Sequence, residues 1–257
     1  MNILVSGIKS GLGKYLHENL GGAGFDKDDF NAKFPKLKLR SFDTIIHCAF
    51  NPARLVDSSK LGEYIFDNLL LTEKLLSLKH KKFIYISSVD VYPKDSSTHR
   101  EDEIIDLNRL KSIYSITKLS SEAIVSRLSK NHLILRMAAL LGKYSRENNV
   151  IKMIKSSGAA SLSLSPESSF SFVLYSDLLD FIRLANKSNL RGIYNIASKG
   201  RITVSSIARS LDYKPKFGKF LYKTPKVSTK KTERVFKGFN KSQLAIINQF
   251  AMELRNG

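Results

Sequence analysis

The first apolar run of the chain, "NILVSG" from Asn2 to Gly7, is too short for a helix and ends in glycine. That pattern predicts a buried strand feeding a turn. "GLGKYLHENL" follows, with Leu12, Leu16 and Leu20 spaced along one helical face. The alternation continues: "FDTIIHCAF", "KKFIYISS" and "HLILRMAAL" read as buried strands, while "EYIFDNLLLTEKLLSL" and the stretch from about Ile113 to Ser129 read as helices. A polar loop reaching about Ser112 separates the third strand from the second of these helices. Strands alternating with helices need parallel crossovers, so the pattern predicts an α/β fold, a doubly wound parallel sheet of Rossmann type.

Further on, the pattern loosens. "NNVIKMIKSSG" reads as a helix, "SFVLYSDLLDFIRLAN" as a short strand running into a helix, and "GIYNIAS" as a strand. "TVSSIARSL" opens another helix with Thr203 as its cap. Tyr213 to about Gly238 carries prolines, lysines and little periodicity, and "KSQLAIINQFAMEL" closes with a helix. There is no internal repeat and no low-complexity tract.

Composition changes this picture little. At 257 residues with 42% hydrophobic content, the chain can bury a sizeable core. Its single cysteine, Cys48, excludes an intramolecular disulfide and any multi-cysteine metal site, and fits a reducing compartment. No segment is long and apolar enough to span a membrane, and the N-terminus does not read as a signal peptide, so a cytoplasmic protein with no membrane partner is expected. The formal charge of +19 invites a nucleic-acid reading. The basic residues are spread along the chain, however, with one denser stretch from Lys214 to Lys241 and no RNA-binding or zinc-finger signature. They read as a solvated Lys-rich surface, with no nucleic-acid partner, that would also suit a polyanionic small substrate.

Candidate chemistry begins at the first turn. Gly7, Gly11 and Gly13 follow a strand and open a helix, where backbone N–H groups can meet a pyrophosphate if no Cβ blocks the approach. The spacing is G-x-x-x-G-x-G rather than the G-x-G-x-x-G usual for dinucleotide folds. A second candidate is Tyr114 four residues before Lys118 in "SIYSITKLSSEAIV", one helical turn apart and therefore on one face. Tyr222 and Lys226 repeat the spacing, but Pro225 and the lysines around them read as a loop with no shared face.

Taken together, the glycine loop, "DTIIHCAF", "FIYISSVDVYP" and "YSITK" resemble the short-chain dehydrogenase/reductase family in order and spacing. The likeness is to its extended branch, the epimerase/dehydratase-like enzymes that act on nucleotide-activated sugars and carry "HxAA", "SSxxVYG" and "YxxSK". Asn68 in "YIFDNLLLT" matches the asparagine of that branch's "NVxGT" helix, and "LRMAALLG", "NNVI", "FSFVLYSDLL" and "GIYNIAS" match later motifs. The resemblance covers Asn2 to about Ala208. It implies a Rossmann domain for NAD(P) over 1–140 and a reduced substrate region over 141–257, with about 170–198 returning to the Rossmann domain.

The resemblance also implies roles. Ser88, Tyr114 and Lys118 fall at the catalytic positions: Tyr114 as acid/base, Ser88 as the hydroxyl that holds the substrate oxygen, and Lys118 as the cation that favours the phenolate and binds the nicotinamide ribose. A phenol with its reference pKa of about 10 needs such help near neutral pH. Cofactor contacts would come from Gly7, Lys9, Ser10, Gly11, Leu12, Gly13, Asp26, Ala49, Phe50, Asn68, Tyr114 and Lys118, and substrate contacts from Ser88, Asn149 and Arg146. Asp26 on the adenosine ribose would suggest NAD and Lys9 on a 2′-phosphate NADP; the balance leans to NADP. No metal site is expected.

Three departures narrow the expectation. The segment from Gly13 to Asp43 is short, so the second and third strands must be abbreviated, and no clean strand ending in an acid can be placed there. Val89 stands where dehydratases of the branch carry an acid, which argues against dehydration. Phe170 stands where the branch carries an arginine for the substrate diphosphate. The chain is short for the branch, as in the deoxysugar-nucleotide reductases related to dTDP-4-dehydrorhamnose reductase. We read it as a reductase of a keto group on a nucleotide-linked sugar or other small keto substrate. A nucleotide-sugar 4-epimerase with tightly held NAD and a catalytically idle binding subunit are the rivals. A homodimer through the Glu63–Leu78 and Ile113–Ser129 helices stays open. His17, His47 and His132 read as structural, and Asp177 and Asp180 as acids favoured at a helix start.

Overall fold

Alternate side chains along the strands build two separate halves of the core. The computed structural model describes residues 1–155 and 161–255. Its elements are β1 (Ile3–Ser6), α1 (Gly11–Leu20), β2 (Ala23–Phe25), α2 (Phe30–Lys38), β3 (Ser41–His47), a helix over 61–76 (α3), β4 (Lys79–Ser88), α4 (Ile113–Leu128), β5 (His132–Met137), α5 (Asn149–Lys155), α6 (Tyr175–Lys187), β6 (Gly192–Ile196), α7 (Val204–Ser210), α8 (Lys230–Val235) and α9 (Gln243–Arg255). The six strands form one parallel sheet in the order β6-β5-β4-β3-β1-β2. On one face Ile3, Val5, Ile46, Ile84 and Leu135 pack with Leu12 and Leu16 of α1 and Leu178 and Ile182 of α6. On the other, Leu4, Ile45, Phe83, Tyr85 and Ile134 pack with Phe30 of α2, Leu71 and Leu75 of α3 and Val125 of α4. Burial on both faces is why these strands read as continuous apolar runs.

The strand order reverses beside β1: β2 lies on one side and β3 on the other. In such sheets the crevice at the carboxyl ends of the strands flanking the reversal receives ligands. The expectation that both following strands would be shortened is corrected here. Among the described residues one strand, β2, occupies this stretch, and the chain returns through a 3-10 turn and α2 directly to β3. β2 also ends immediately before Asp26, so a strand ending in an acid is present; its three residues, Ala-Gly-Phe, are too few to show alternation.

A third apolar cluster gathers Leu141, Val150 and Ile151 of α5, Leu164, Phe172, Ile207 of α7 and Phe250 of α9. Short pairings tie this part to the sheet's carboxyl edge: Ala139–Leu141 with Phe172–Leu174, Ser169–Phe170 with Ile202–Thr203, and Thr98–His99 with Lys226–Val227. Thr203 caps α7 as expected, accepting from the Ser206 amide at 3.1 Å. α5 is described to Lys155, and Ser156 to Gly158 of the predicted helix lie outside the described residues. Among the described residues no helix is long and apolar enough to cross a membrane.

Candidate active site

The glycines act where β1 turns into α1. Gly7 and Gly11 have φ of +76° and +58°, a region that favours glycine, and a Cβ on Gly13 would stand 2.2 Å from the Gly7 carbonyl oxygen. The turn can therefore lie tight against the sheet with the first amides of α1 facing the crevice. A cavity of about 820 Å³ opens there, lined by Gly7, Ser10, Gly11, Leu12, Gly13, Asp26, Ala49 and Phe50, with Arg146 and Asn148 on its far side. Asp26 is held at the tip of β2, its carboxylate accepting from the Lys9 and Lys27 amides at 3.1 and 2.8 Å. Lys9 itself is not part of the lining; its ammonium pairs with Asp28 at 2.6 Å.

Asn68 stands one layer behind the cavity. It is fully buried in a π-helical turn, Phe66–Leu70, in the middle of α3. Its side chain accepts from the Asn51 amide at 2.7 Å and donates to the Asn51 carbonyl at 3.2 Å, so it fixes a loop residue that does line the cavity. The extra residue of the turn frees the Asn68 carbonyl for the hydroxyls of Thr72 and Ser121, at 3.0 and 2.7 Å. His47 is structural, as expected. Its ring bonds Ser6 and Thr72 at 2.7 and 3.0 Å, and burial, with the Lys118 cation, holds it down at about 3.

A second cavity of about 530 Å³ adjoins the first and shares Leu12, Phe50, Arg54 and Asn148 with it. Ser88, Tyr114, Lys118 and Asn149 line it together. Ser88 ends β4, and Tyr114 is the second residue of α4, two after the capping residue Ser112 that turns the chain. The Ser88 hydroxyl, close enough to the Tyr114 phenol to lower its pKa, accepts from the Asp90 amide at 3.1 Å. Burial first, then the Asp90 carboxylate, push Tyr114 up to about 12, against the Ser88 hydroxyl and the Arg54 cation. Lys118 is buried; its ammonium donates to the Ile86 carbonyl at 2.6 Å and stands 3.6 Å over the Phe50 ring. Burial lowers it to about 7. Of the predicted substrate contacts, Ser88 and Asn149 meet in this cavity, whereas Arg146 lines the other.

Sequence reasoning missed the work of Arg54 and Tyr222 at this cavity. Arg54, from the loop after β3, pairs with buried Asp90 at 2.6 Å and stands 5.0 Å over the Tyr114 ring. Tyr222, set aside as a loop residue, brings its phenol to Asp90 at 2.9 Å and its ring against Phe170 at 5.0 Å. Phe170, Phe220 and Leu164 thus make this wall apolar where a diphosphate-binding arginine was absent from the sequence. The extended backbone of "LYKTPK" held the only local clue, since it can carry a side chain far from its neighbours on the chain.

A glycine-cradled crevice at a parallel-sheet reversal, opening beside a cavity lined by Ser88, Tyr114 and buried Lys118, defines a Rossmann-type enzyme of the dinucleotide-dependent class. The NAD dependent epimerase/dehydratase family model matches residues 3–197, and the chain belongs to that family, within the extended short-chain dehydrogenase/reductase branch. No curated protein matches. Among solved structures, a variant UDP-glucuronic acid 4-epimerase from Bacillus cereus, in complex with a fluorinated UDP-glucuronic acid and NAD, is similar at 19% identity and a TM-score of 0.81, over 100% of this chain and 99% of that one. A dTDP-4-dehydrorhamnose reductase from Bacillus anthracis, in complex with NADP, is similar at 20% identity and a TM-score of 0.80, over 98% and 99% of the two chains. Its counterpart from Clostridium acetobutylicum has 17% identity and a TM-score of 0.80, over 99% and 100%. At these identities the likeness shows the fold.

Proposed function

We propose that this protein is an NAD(P)-dependent reductase of a keto group on a nucleotide-activated sugar, with Tyr114 as its acid/base. The observation that carries the proposal is that Ser88, Tyr114 and Lys118 line one cavity, which adjoins the glycine-cradled one. The residues present suit a dinucleotide: a Cβ-free cradle at Gly7, Gly11 and Gly13 for a pyrophosphate, and Asp26 for a ribose hydroxyl. Bound there, the cofactor would supply the hydride. Tyr114 would give its phenolic proton to the substrate oxygen, Ser88 would hold that oxygen by a hydrogen bond, and Lys118 would offer an ammonium to the ribose. A phenol held at about 12 keeps its proton at neutral pH, which suits an acid in the reductive direction.

Asp26 favours NAD over NADP. A carboxylate accepts from a ribose hydroxyl and repels a 2′-phosphate, and Lys9, the residue that would answer that phosphate, is committed to Asp28. The same preference supports a second reading, a 4-epimerase that retains NAD, and the B. cereus neighbour is a 4-epimerase in complex with NAD. Titration with NADH and NADPH, followed by nicotinamide fluorescence, tests both. Saturable binding with NADH tighter by about tenfold is expected from one lost charge–charge repulsion, and Asp26→Ser should narrow the gap. NAD retained through purification would favour the epimerase. Binding of neither, with no co-purified dinucleotide, would overturn the proposal.

A further inference from the structure

Arg54 occupies an unusual place. Among the described residues it is the one charged side chain that lines both cavities. Its guanidinium stands 5.0 Å over the Tyr114 ring and 5.8 Å over the Tyr222 ring, and its Nη2 donates to Asp90 Oδ2 at 2.6 Å. Asp90 is held in turn by the Tyr222 phenol at 2.9 Å and approached by the Lys94 ammonium at 3.7 Å. The cation that the sequence pattern assigned to Tyr114, Lys118, is turned to the Ile86 carbonyl and the Phe50 face.

Resting on the reading of Tyr114 as acid/base, we propose that Arg54, tethered by Asp90, is a positioning residue for Tyr114: it packs against the ring and supplies the positive charge that favours release of the phenolic proton. The titratable and charged groups around the phenol and its cavity come from several elements. The loop after β3 presents Arg54, the turn after β4 presents Ser88 and Asp90, α3 presents Tyr64, α4 presents Lys118, and the C-terminal region presents Tyr222. Of these, Arg54 and Asp90 act on Tyr114 in opposite directions, the cation lowering and the carboxylate raising its pKa. Because the two are bonded to each other, their effects on the phenol partly offset, with the carboxylate the larger. An anionic substrate group that drew the guanidinium aside would unbalance them.

The opposition of sign makes the test. Tetranitromethane nitrates the phenolate form of tyrosine, so the nitration rate of Tyr114 at pH 8, read by peptide mass spectrometry on the free protein, follows its ionised fraction. Arg54→Ala should slow nitration about tenfold, the effect of about one pKa unit from a lost neighbouring cation. Asp90→Asn should speed it by a similar factor, and Arg54→Lys, which keeps the charge, should stay within about threefold of the wild type. Circular dichroism checks that each variant is folded. If Arg54 were only filling space, Arg54→Ala would open the mouth and nitration would rise; that result, or unchanged rates in both Arg54→Ala and Asp90→Asn, would overturn the proposal. The assay uses no substrate or cofactor, so its failure is separate from failure of the NADH titration, which tests the enzymatic reading.

Discussion

Two arginine–carboxylate pairs meet the chain on either side of Ser88, one through Ser87 and one through Asp90, and they are built for different ends. Arg136 of β5 and Glu122 of α4 are 4% and 3% exposed, joined at 2.7 to 3.2 Å through both Nη2 and Nε. The remaining Arg136 Nη1 donates to the Tyr92 phenol at 2.7 Å, and Ser87 donates to Glu122. The Tyr92 hydroxyl donates to Asn195 of β6 at 2.9 Å, so the network ties α4 to three adjacent strands. In the other pair Asp90 is 4% exposed while Arg54 is 49% exposed, with an aromatic ring below it and a cavity on either side. One pair is closed on itself and holds the sheet together; the other keeps one partner at the surface, where a ligand can reach it.

The largest effect that tests this contrast is on stability. Glu122→Ala leaves Arg136 buried without its counter-ion, a change that typically costs about 3–5 kcal/mol. Urea denaturation should show that loss. A loss below about 1 kcal/mol would mean that water reaches the network and that the pair is not structural in the sense argued here.

Next in size is a change at the site itself. Tyr114→Phe removes one hydroxyl from a residue that contributes little to the core, so stability should fall by no more than about 1 kcal/mol. Turnover, followed as NADH consumption with keto-sugar nucleotides, should drop about 10²–10⁴-fold, the usual contribution of a positioned acid/base. Equal activity in Tyr114→Phe would remove the acid/base role.

The outcome also bears on how much of this molecule could be read in its sequence. The sheet was legible because strands buried on both faces are apolar throughout, and the glycine loop and the Tyr114–Lys118 turn because each is local in sequence. Asn68 was recognised at its position, but its work on Asn51 depends on a π turn that leaves no local signature. β2 was too short for any periodicity. The Asp90–Tyr222 contact spans 132 residues, and no local pattern announces a contact between a turn and a distant extended segment. Arg54 sits in a loop with no helical or strand spacing, so its partnership with Asp90 emerges only once β3 and β4 lie side by side.

Lys118 gives a pH-dependent test between the two regions. The folded chain holds its ammonium at about 7 through burial, against 10.5 for an unburied lysine. Between those values the unfolded chain binds more protons than the folded one, so this residue makes stability rise with pH, by up to about 1.4 kcal/mol per pH unit. Below about pH 7 the full cost of the buried charge is present. Lys118→Met should therefore raise the urea midpoint at pH 6 and change it little near pH 10. A benefit equal at both values would show that the ammonium is not desolvated in the free protein.

The smallest expected effect is the most direct comparison. Arg54→Ala removes an arginine from a carboxylate, as Arg136→Ala would, yet the physical consequences differ. Asp90 keeps the Tyr222 phenol at 2.9 Å and the Lys94 ammonium at 3.7 Å. The departing guanidinium was already half in water, where ion pairs contribute about 1 kcal/mol or less. A protein of this size should then melt within about 2–4 °C of the wild type, even as its phenol titrates differently. A fall as deep as that of Glu122→Ala would place Arg54 with the structural pairs, because a buried charge left without compensation is the only feature here able to produce it.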